Sequence, residues 1–444
     1  MAEKRTLFLL KIDSPTKAPL VKNLGLSRKF VWCGSEDTAK LSVRELSDWA
    51  ERIFVSDAFL DTLKKVGLKS KLFPFAEAGF KEIESIPKNN LRVSFFPSND
   101  THVKTFYPIT RFFNRHMIFI SSRKGEGAEA AADKLGLTWE RYQIASLPTY
   151  RPDVVVLAND WGLDEKLVIA ESRNLGIPTV CIQEGPLDFG PTEPHRMEWA
   201  DFPFIQGPIM TRFLDRENYF VTGNPRFDSI RRSGLKEKPL VMVNLNFTYG
   251  VEEEFAEEWL RGVAEACQEL GLDFFVSQHP RDRHSFPNLP VEVSNPGVVH
   301  EHLSRATILV TRFSTLAYEA LLMDREVVYH NPHGEKMRIF NEDESGAFWR
   351  TKNKKELKEA LSRISRGVRR TKEKELFVSL HCTSADGKSA ARCADALTTI
   401  PSLYRYLRPR DVRKTSPTFL RTKVQILGTS RRISKFISAY FKFQ

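Results

Sequence analysis

The residues best suited to chemistry in this chain stand directly after short apolar runs. Gln183-Glu184-Gly185-Pro186 follows the run 179–182. A carboxylate on a tight Gly-Pro turn at a strand end is partly withdrawn from water, which raises its pKa toward that of a base. Glu184 is therefore a candidate catalytic carboxylate, the alternative being a helix N-cap or a salt-bridged surface acid. Ser277-Gln278-His279-Pro280-Arg281 follows the run 274–276. A histidine fixed by the following proline, with Arg281 beside it, suits hydrogen bonding to a pyrophosphate or phosphodiester and stabilisation of a departing nucleotide phosphate. His279 is the second catalytic candidate, with Pro280 and Arg281 in the same binding loop.

Two further loops have the same placement. In Thr311-Arg312-Phe313-Ser314-Thr315, a strand gives way to a helix whose first N–H groups, with the hydroxyls of Ser314 and Thr315, suit a phosphate. Glu319, a turn further on, either reaches a ribose hydroxyl or is an ordinary helix-surface acid. In Gly223-Asn224-Pro225-Arg226-Phe227-Asp228, Gly223 permits close backbone approach to a ligand and Arg226 offers a planar fork for phosphate or carboxylate. The alternative is a plain turn. Asn244 to Gly250 adds Thr248 as a supporting donor-side residue. His330 and His333 are three apart, but no nearby acids complete a ligand set, so loop structure is favoured and no metal is expected.

These loops need elements to hold them. Runs rich in Val, Ile and Phe at 6–12, 29–33, 52–55, 92–96, 117–120, 154–157, 179–183, 202–206 and 219–222 alternate with helical stretches. That is the pattern of parallel strands with crossover helices. Val154 to Leu157, a helix over 163–175, the stop Gly176-Ile177-Pro178, and Thr179 to Ile182 make one βαβ unit. A second block begins at 240–243, runs through a helix over 252–270 into 274–277, and continues with strands at 308–310 and 327–329 and helices over 315–323 and 354–365. The polar segment 229–239 ends in proline and reads as a linker. The expected architecture is α/β: two Rossmann-like, doubly wound parallel-sheet domains, 1–230 and 239–400, facing each other across a cleft, with a tail over 401–444. In such sheets ligands bind where loops leave the carboxyl ends of the strands.

With 444 residues, 41% of them hydrophobic and 28% charged, the chain is neither a disulfide-stapled miniprotein nor a disordered one. Five scattered cysteines without a C-x-x-C pair point to a reducing compartment. The amino-terminal apolar run is too short for a signal peptide, and no transmembrane run occurs. The formal charge is +11, from 67 Lys+Arg against 56 Asp+Glu. Residues 401–444 hold eleven basic residues and one acid, Asp411, so +10 of the charge sits in the tail and +1 in the rest. There Phe436, Ile437, Tyr440 and Phe441 fall on one helical face flanked by Arg431, Arg432 and Lys435. The segment reads as an interfacial helix on an anionic membrane surface, the alternatives being a helix packed on the protein or a nucleic-acid tail. A neutral body without a nucleic-acid-binding motif argues against nucleic acid. The expected location is cytoplasmic and peripheral, on the inner face of the cytoplasmic membrane.

The order Gly-Asn-Pro-Arg-Phe-Asp, then His279-Pro280, then Ser314-Thr315 with Glu319 a turn later and the run Val327-Val328-Tyr329 resembles the GT-B glycosyltransferases of bacterial surface carbohydrate synthesis. Among these are capsule and lipopolysaccharide enzymes using CMP-activated keto-sugars and the related CDP-glycerol glycerophosphotransferases. The resemblance spans residues 150–340. It implies that His279, Ser314 and Thr315 grip the donor phosphate and that Glu184-Gly185 carries the catalytic carboxylate. The glycerophosphotransferases have an Asp-Tyr-Ser-Ser type sequence where this chain has Arg312-Phe313-Ser314-Thr315. The expected function is transfer of a sugar from a nucleotide-sugar, CMP-linked keto-sugar favoured, to a saccharide or lipid-linked saccharide acceptor, with no cofactor and no essential metal. An alditol-phosphate transferase and a sugar-nucleotide epimerase of the same fold are the alternatives.

Overall fold

A computed structural model describes residues 5–12, 16–19, 28–66, 71–74, 80–121, 127–185, 197–214, 216, 218–232, 238–247, 252–279, 282, 284–294, 298–341 and 343–407. Two units emerge from the chain's contacts. The first takes in Met1–Glu184, Pro194–Asp228 and Lys388–Gln444; the second takes in Gly185–Glu193 and Ser229–Gly387.

The strands of the first unit are β1 (Thr6–Lys11), β2 (Thr16–Pro19), β3 (Arg28–Cys33), β4 (Arg52–Val55), β5 (Leu72–Pro74), β6 (Phe80–Ile83), β7 (Arg92–Phe96), β8 (Arg115–Ile120), β9 (Trp139–Arg141), β10 (Val154–Leu157), β11 (Thr179–Ile182), β12 (Phe202–Ile205) and β13 (Asn218–Val221). Eleven of them form one sheet in the order β5-β4-β1-β3-β13-β12-β11-β10-β7-β8-β9, and every pairing in it is parallel. β2 and β6 pair antiparallel apart from it. The seven strands β7 to β13 follow the doubly wound order 3-2-1-4-5-6 with one strand more, so their order reverses between β7 and β10. Strands β1, β3, β4 and β5 add a second parallel array at the β13 edge. Trp32 of β3 stacks on Phe220 of β13 at 4.5 Å across that joint, and within the added array Phe30 stacks on Phe8 at 4.8 Å.

Strands such as Val154–Leu157 are buried along their whole length, which explains why they read as unbroken apolar runs. The helix Leu163–Asn174 stops at Gly176, whose φ is 70°, and the Ile177 N–H turns back to the Ser172 carbonyl at 2.8 Å.

The second unit holds β14 (Leu240–Leu245), β15 (Asp273–Gln278), β16 (Val291–Val293), β17 (Ile308–Thr311), β18 (Glu326–His330) and β19 (Phe348–Thr351). Their order, β16-β15-β14-β17-β18-β19, is parallel throughout and is the doubly wound 3-2-1-4-5-6 arrangement. Its core joins Val241, Val243, Val276, Ile308 and Val310 to Trp259, Leu260 and Val263 of the helix Ala256–Glu269 and to Leu357 and Leu361 of the helix Lys354–Ser365.

The expected strands recur with small shifts at their ends. The expected limit of the second domain at residue 400 does not hold, because the chain rejoins the first unit at Lys388. The reason is the helix Ser389–Leu407, whose Ala390, Cys393, Ala394, Leu397, Ile400 and Leu403 are buried in the first unit's core. The helix expected from 252 starts at Ala256, after a short 3-10 turn over Glu253–Phe255. All five cysteines are buried free thiols, and no helix among the described residues is long and apolar enough to cross a membrane. The amphipathic segment with Arg431, Arg432, Lys435, Phe436, Ile437, Tyr440 and Phe441 lies outside the described residues.

Candidate active site

In the first unit, Glu184 stands just past β11, on the carboxyl edge of the sheet, with its side chain 31% exposed. The chain crosses into the second unit immediately after it. Its Oε2 meets Nε2 of His102, a side chain with no exposed surface. His102 belongs to the helix Asp100–Thr110 that follows β7, and Asn99 caps that helix by accepting the His102 N–H at 2.9 Å. The Ser98 N–H donates to His102 Nδ1 at 3.1 Å. A neutral imidazole whose Nδ1 accepts must carry its proton on Nε2, so His102 donates to Glu184 and Glu184 accepts. The Asn99 amide, 3.3 Å from the same Nε2, cannot donate to a protonated nitrogen. Behind the pair, the Ser98 hydroxyl donates to Oε1 of the buried Glu165. Asn224, fully buried after β13, donates from its side-chain amide to the Glu184 carbonyl at 3.1 Å and fixes the backbone that carries the carboxylate.

The loop after β10 contributes a different kind of acid. Asp160 is buried, and its carboxylate accepts the backbone N–H groups of Met197, Trp199 and Ala200 at 2.6 to 3.0 Å. Burial pushes its pKa up, against the pull of those three donors. It ties the chain 197–200 to the sheet edge and is an anchor in this arrangement.

In the segment Gly223 to Asp228, the first and last residues meet the last helix. Gly223 has a φ of 83°, and a Cβ there would fall 2.5 Å from Ser389 Oγ, so the close approach expected for a ligand is made by the last helix. Asp228 accepts the Ser389 and Ala390 N–H groups at 2.8 and 2.7 Å, capping that helix, and Arg392 Nε donates to the Thr222 carbonyl at 2.8 Å. Arg226 is half-buried and its guanidinium lies 5.4 Å from the Phe227 ring centre.

In the second unit, the loops after β14, β15, β17 and β18 share the carboxyl edge. His279 is half-buried there, its N–H donating to the Leu245 carbonyl at 3.0 Å and its carbonyl accepting the Asp282 N–H. Arg312, with 2% of its side chain exposed, binds the loops together. It donates to the Asn246 carbonyl at 3.3 Å, to Glu335 at 3.0 Å and to Glu252 at 3.0 Å, and lies over the Phe247 ring at 4.1 Å. Burial raises the Glu335 pKa and the Arg312 charge opposes that rise. Ser314 accepts the Leu316 N–H at 3.2 Å at the start of the helix Leu316–Leu322. A Cβ on Gly185, itself part of this unit, would lie 3.1 Å from Thr315 Oγ1, so the Gly185 backbone passes close to Thr315. Glu319 is buried and its Oε2 lies 2.6 Å from His300 Nε2, so it is not an exposed surface acid. Thr248, Pro280 and Arg281 lie outside the described residues.

His330 is buried, with Nδ1 2.8 Å from Thr351 Oγ1, and His333 stacks on Phe255 at 4.2 Å. Among the described residues, no group of three or more His, Cys, Asp or Glu side chains is placed to hold a metal ion.

No family model matches the sequence. No curated protein is similar to it in sequence. Solved structures are similar in fold. The UDP-GlcNAc 2-epimerase of Neisseria meningitidis, solved with UDP-GlcNAc bound, matches 69% of this chain and 98% of its own at 10% identity with a TM-score of 0.51. The UDP-GlcNAc 2-epimerase of Methanocaldococcus jannaschii matches 69% of this chain and 99% of its own at 15% identity with a TM-score of 0.50. The chain has the α/β GT-B fold of these enzymes, with its two parallel doubly wound sheets.

Proposed function

We propose that this protein is a nucleotide-sugar-dependent glycosyltransferase, a CMP-linked keto-sugar being the favoured donor and a surface saccharide or glycolipid the acceptor. The observation that carries the reading is the Glu184 carboxylate, held as an acceptor by a buried histidine at the carboxyl edge of a doubly wound sheet. In the inverting form, Glu184 takes the proton of the acceptor hydroxyl as its oxygen bonds to the anomeric carbon. The bond from that carbon to the donor phosphate oxygen breaks, and the nucleotide leaves with the electron pair. In the retaining form, Glu184 bonds to the anomeric carbon as the nucleotide leaves with the electron pair, and the acceptor oxygen then displaces Glu184 from that carbon as its proton passes to the departed phosphate.

His279, Arg281, Ser314 and Thr315 offset the charge that grows on the departing phosphate, and Pro280 and Thr248 complete the donor loops. No metal enters this scheme. The basic tail with Phe436, Ile437, Tyr440 and Phe441 brings the enzyme to the anionic inner face of the membrane, where a lipid-linked acceptor resides.

A thermal-shift series with CMP, CDP, UDP and GDP tests the donor side, since a ligand of the folded state raises the melting temperature. A rise with one nucleotide supports the reading; no rise with any contradicts it. The second reading, a sugar-nucleotide epimerase, is favoured by the likeness to two UDP-GlcNAc 2-epimerases. Conversion of UDP-GlcNAc without an acceptor would establish it. The third, an alditol-phosphate transferase, predicts CMP release from CDP-glycerol; Arg312, internally engaged where that family has an acid, weighs against it.

A further inference from the structure

We propose that His102 is a positioning residue that holds the Glu184 carboxylate in one orientation and that Ser98, backed by Glu165, locks the tautomer it needs for this. The catalytic part of this proposal rests on the reading of Glu184 as the reacting carboxylate. The geometric part stands on contacts alone. A backbone N–H is an obligatory donor, so the Ser98 N–H at 3.1 Å keeps Nδ1 deprotonated and directs the imidazole proton to Nε2, the atom facing Glu184.

Ser98 is itself fixed. Its hydroxyl donates to Glu165, a side chain buried in the first turn of the helix Leu163–Asn174. The Glu184 backbone is held by Asn224 from the other direction. The array therefore draws on the loops after β7, β10, β11 and β13, and its elements sit on both sides of the point where the strand order reverses. A carboxylate steered by a buried N–H loses rotational freedom before substrate arrives, and misplacement of a reacting group by an ångström costs about 10²-fold in rate.

Nitrogen-15 long-range NMR on the full-length chain with labelled histidine tests the geometry without a substrate, the His102 signals being those that vanish in His102→Gln. The expected result is a protonated Nε2 and an unprotonated Nδ1, with the Nε2 proton shifting in Glu184→Gln. A protonated Nδ1, or no response to Glu184→Gln, overturns the proposal.

The kinetic arm compares His102→Leu with His102→Gln, whose amide donates from nearly the same place. His102→Leu is expected to lower kcat about tenfold or more with donor KM within about twofold, and His102→Gln to recover most of that loss. Equal loss in both variants, tracking only the fraction of folded protein, overturns the positioning role. Should the native chain turn over no nucleotide-sugar, the transferase reading falls and the NMR result alone decides whether His102 holds Glu184.

Discussion

At the scale of single residues, a carboxylate at a strand end is legible in a sequence because its strand, its turn and its chemistry are contiguous. Glu184 met all three conditions. His102 did not, because what makes it informative is a partner 82 residues away and a backbone N–H that no residue type announces. The available signal was positional: Ser98-Asn99 follows the run 92–96 with only Pro97 between.

Another histidine yields a stability prediction. Burial of His330 holds its pKa down to about 4, below the ordinary 6.5. The folded state resists a proton that the unfolded chain accepts. The native state therefore keeps its full stability above pH 6.5 and loses up to about 3 kcal/mol as pH falls from 6.5 toward 4. Urea unfolding across that range should show the loss, and His330→Gln should flatten it. Parallel pH profiles in the two proteins would contradict the assignment.

At the scale of elements, the strands were legible because both faces of a parallel sheet are buried and the apolar runs are unbroken. The helix Ser389–Leu407 belongs to the first unit, whereas the expected boundary ran to residue 400, since its registry with the core depends on contacts far back in the sequence. In the loop Gly223 to Asp228, the contact of Asp228 was hidden for the same reason; its partner, Ser389, comes 161 residues later. Asp228→Ala removes the acceptor for two helix N–H groups and should cost about 1 to 2 kcal/mol in denaturant unfolding, with donor-nucleotide binding unchanged. A loss of nucleotide binding without a loss of stability would restore the ligand reading of that loop.

Arg312 is the corresponding element-scale feature of the second unit. Motif comparison marks it as a departure in a binding sequence, whereas the structure shows it tying the loops after β14, β17 and β18. Arg312→Leu leaves the buried Glu335 without its counter-charge and should destabilise the second unit by about 3 to 5 kcal/mol. A variant as stable as the native chain would show that the Arg312 pairings contribute nothing net.

At the scale of the whole molecule, the charge distribution and the fold address different questions. The doubly wound sheets give the chain a GT-B fold, and the +10 of the tail is the separate basis for the membrane proposal. Each basic residue near an anionic leaflet contributes on the order of 1 kcal/mol. The full chain should therefore sediment with phosphatidylglycerol-containing vesicles at low salt and dissociate as salt rises, and a chain ending at residue 407 should stay in the supernatant. Equal sedimentation of the two would remove the tail from the account. Donor and acceptor were not legible in the sequence, because fold and loop position specify where ligands bind and leave their identity to contacts that vary freely within one fold.

The most direct measurement is nucleotide release from CMP-, CDP-, UDP- and GDP-linked sugars in the presence of a bacterial glycolipid extract, made side by side with the native chain and Glu184→Gln. The account predicts release from one donor class by the native chain and a loss on the order of 10²-fold or more in Glu184→Gln, with nucleotide binding retained. Release that is unaffected by Glu184→Gln, or absent with every donor, would contradict it.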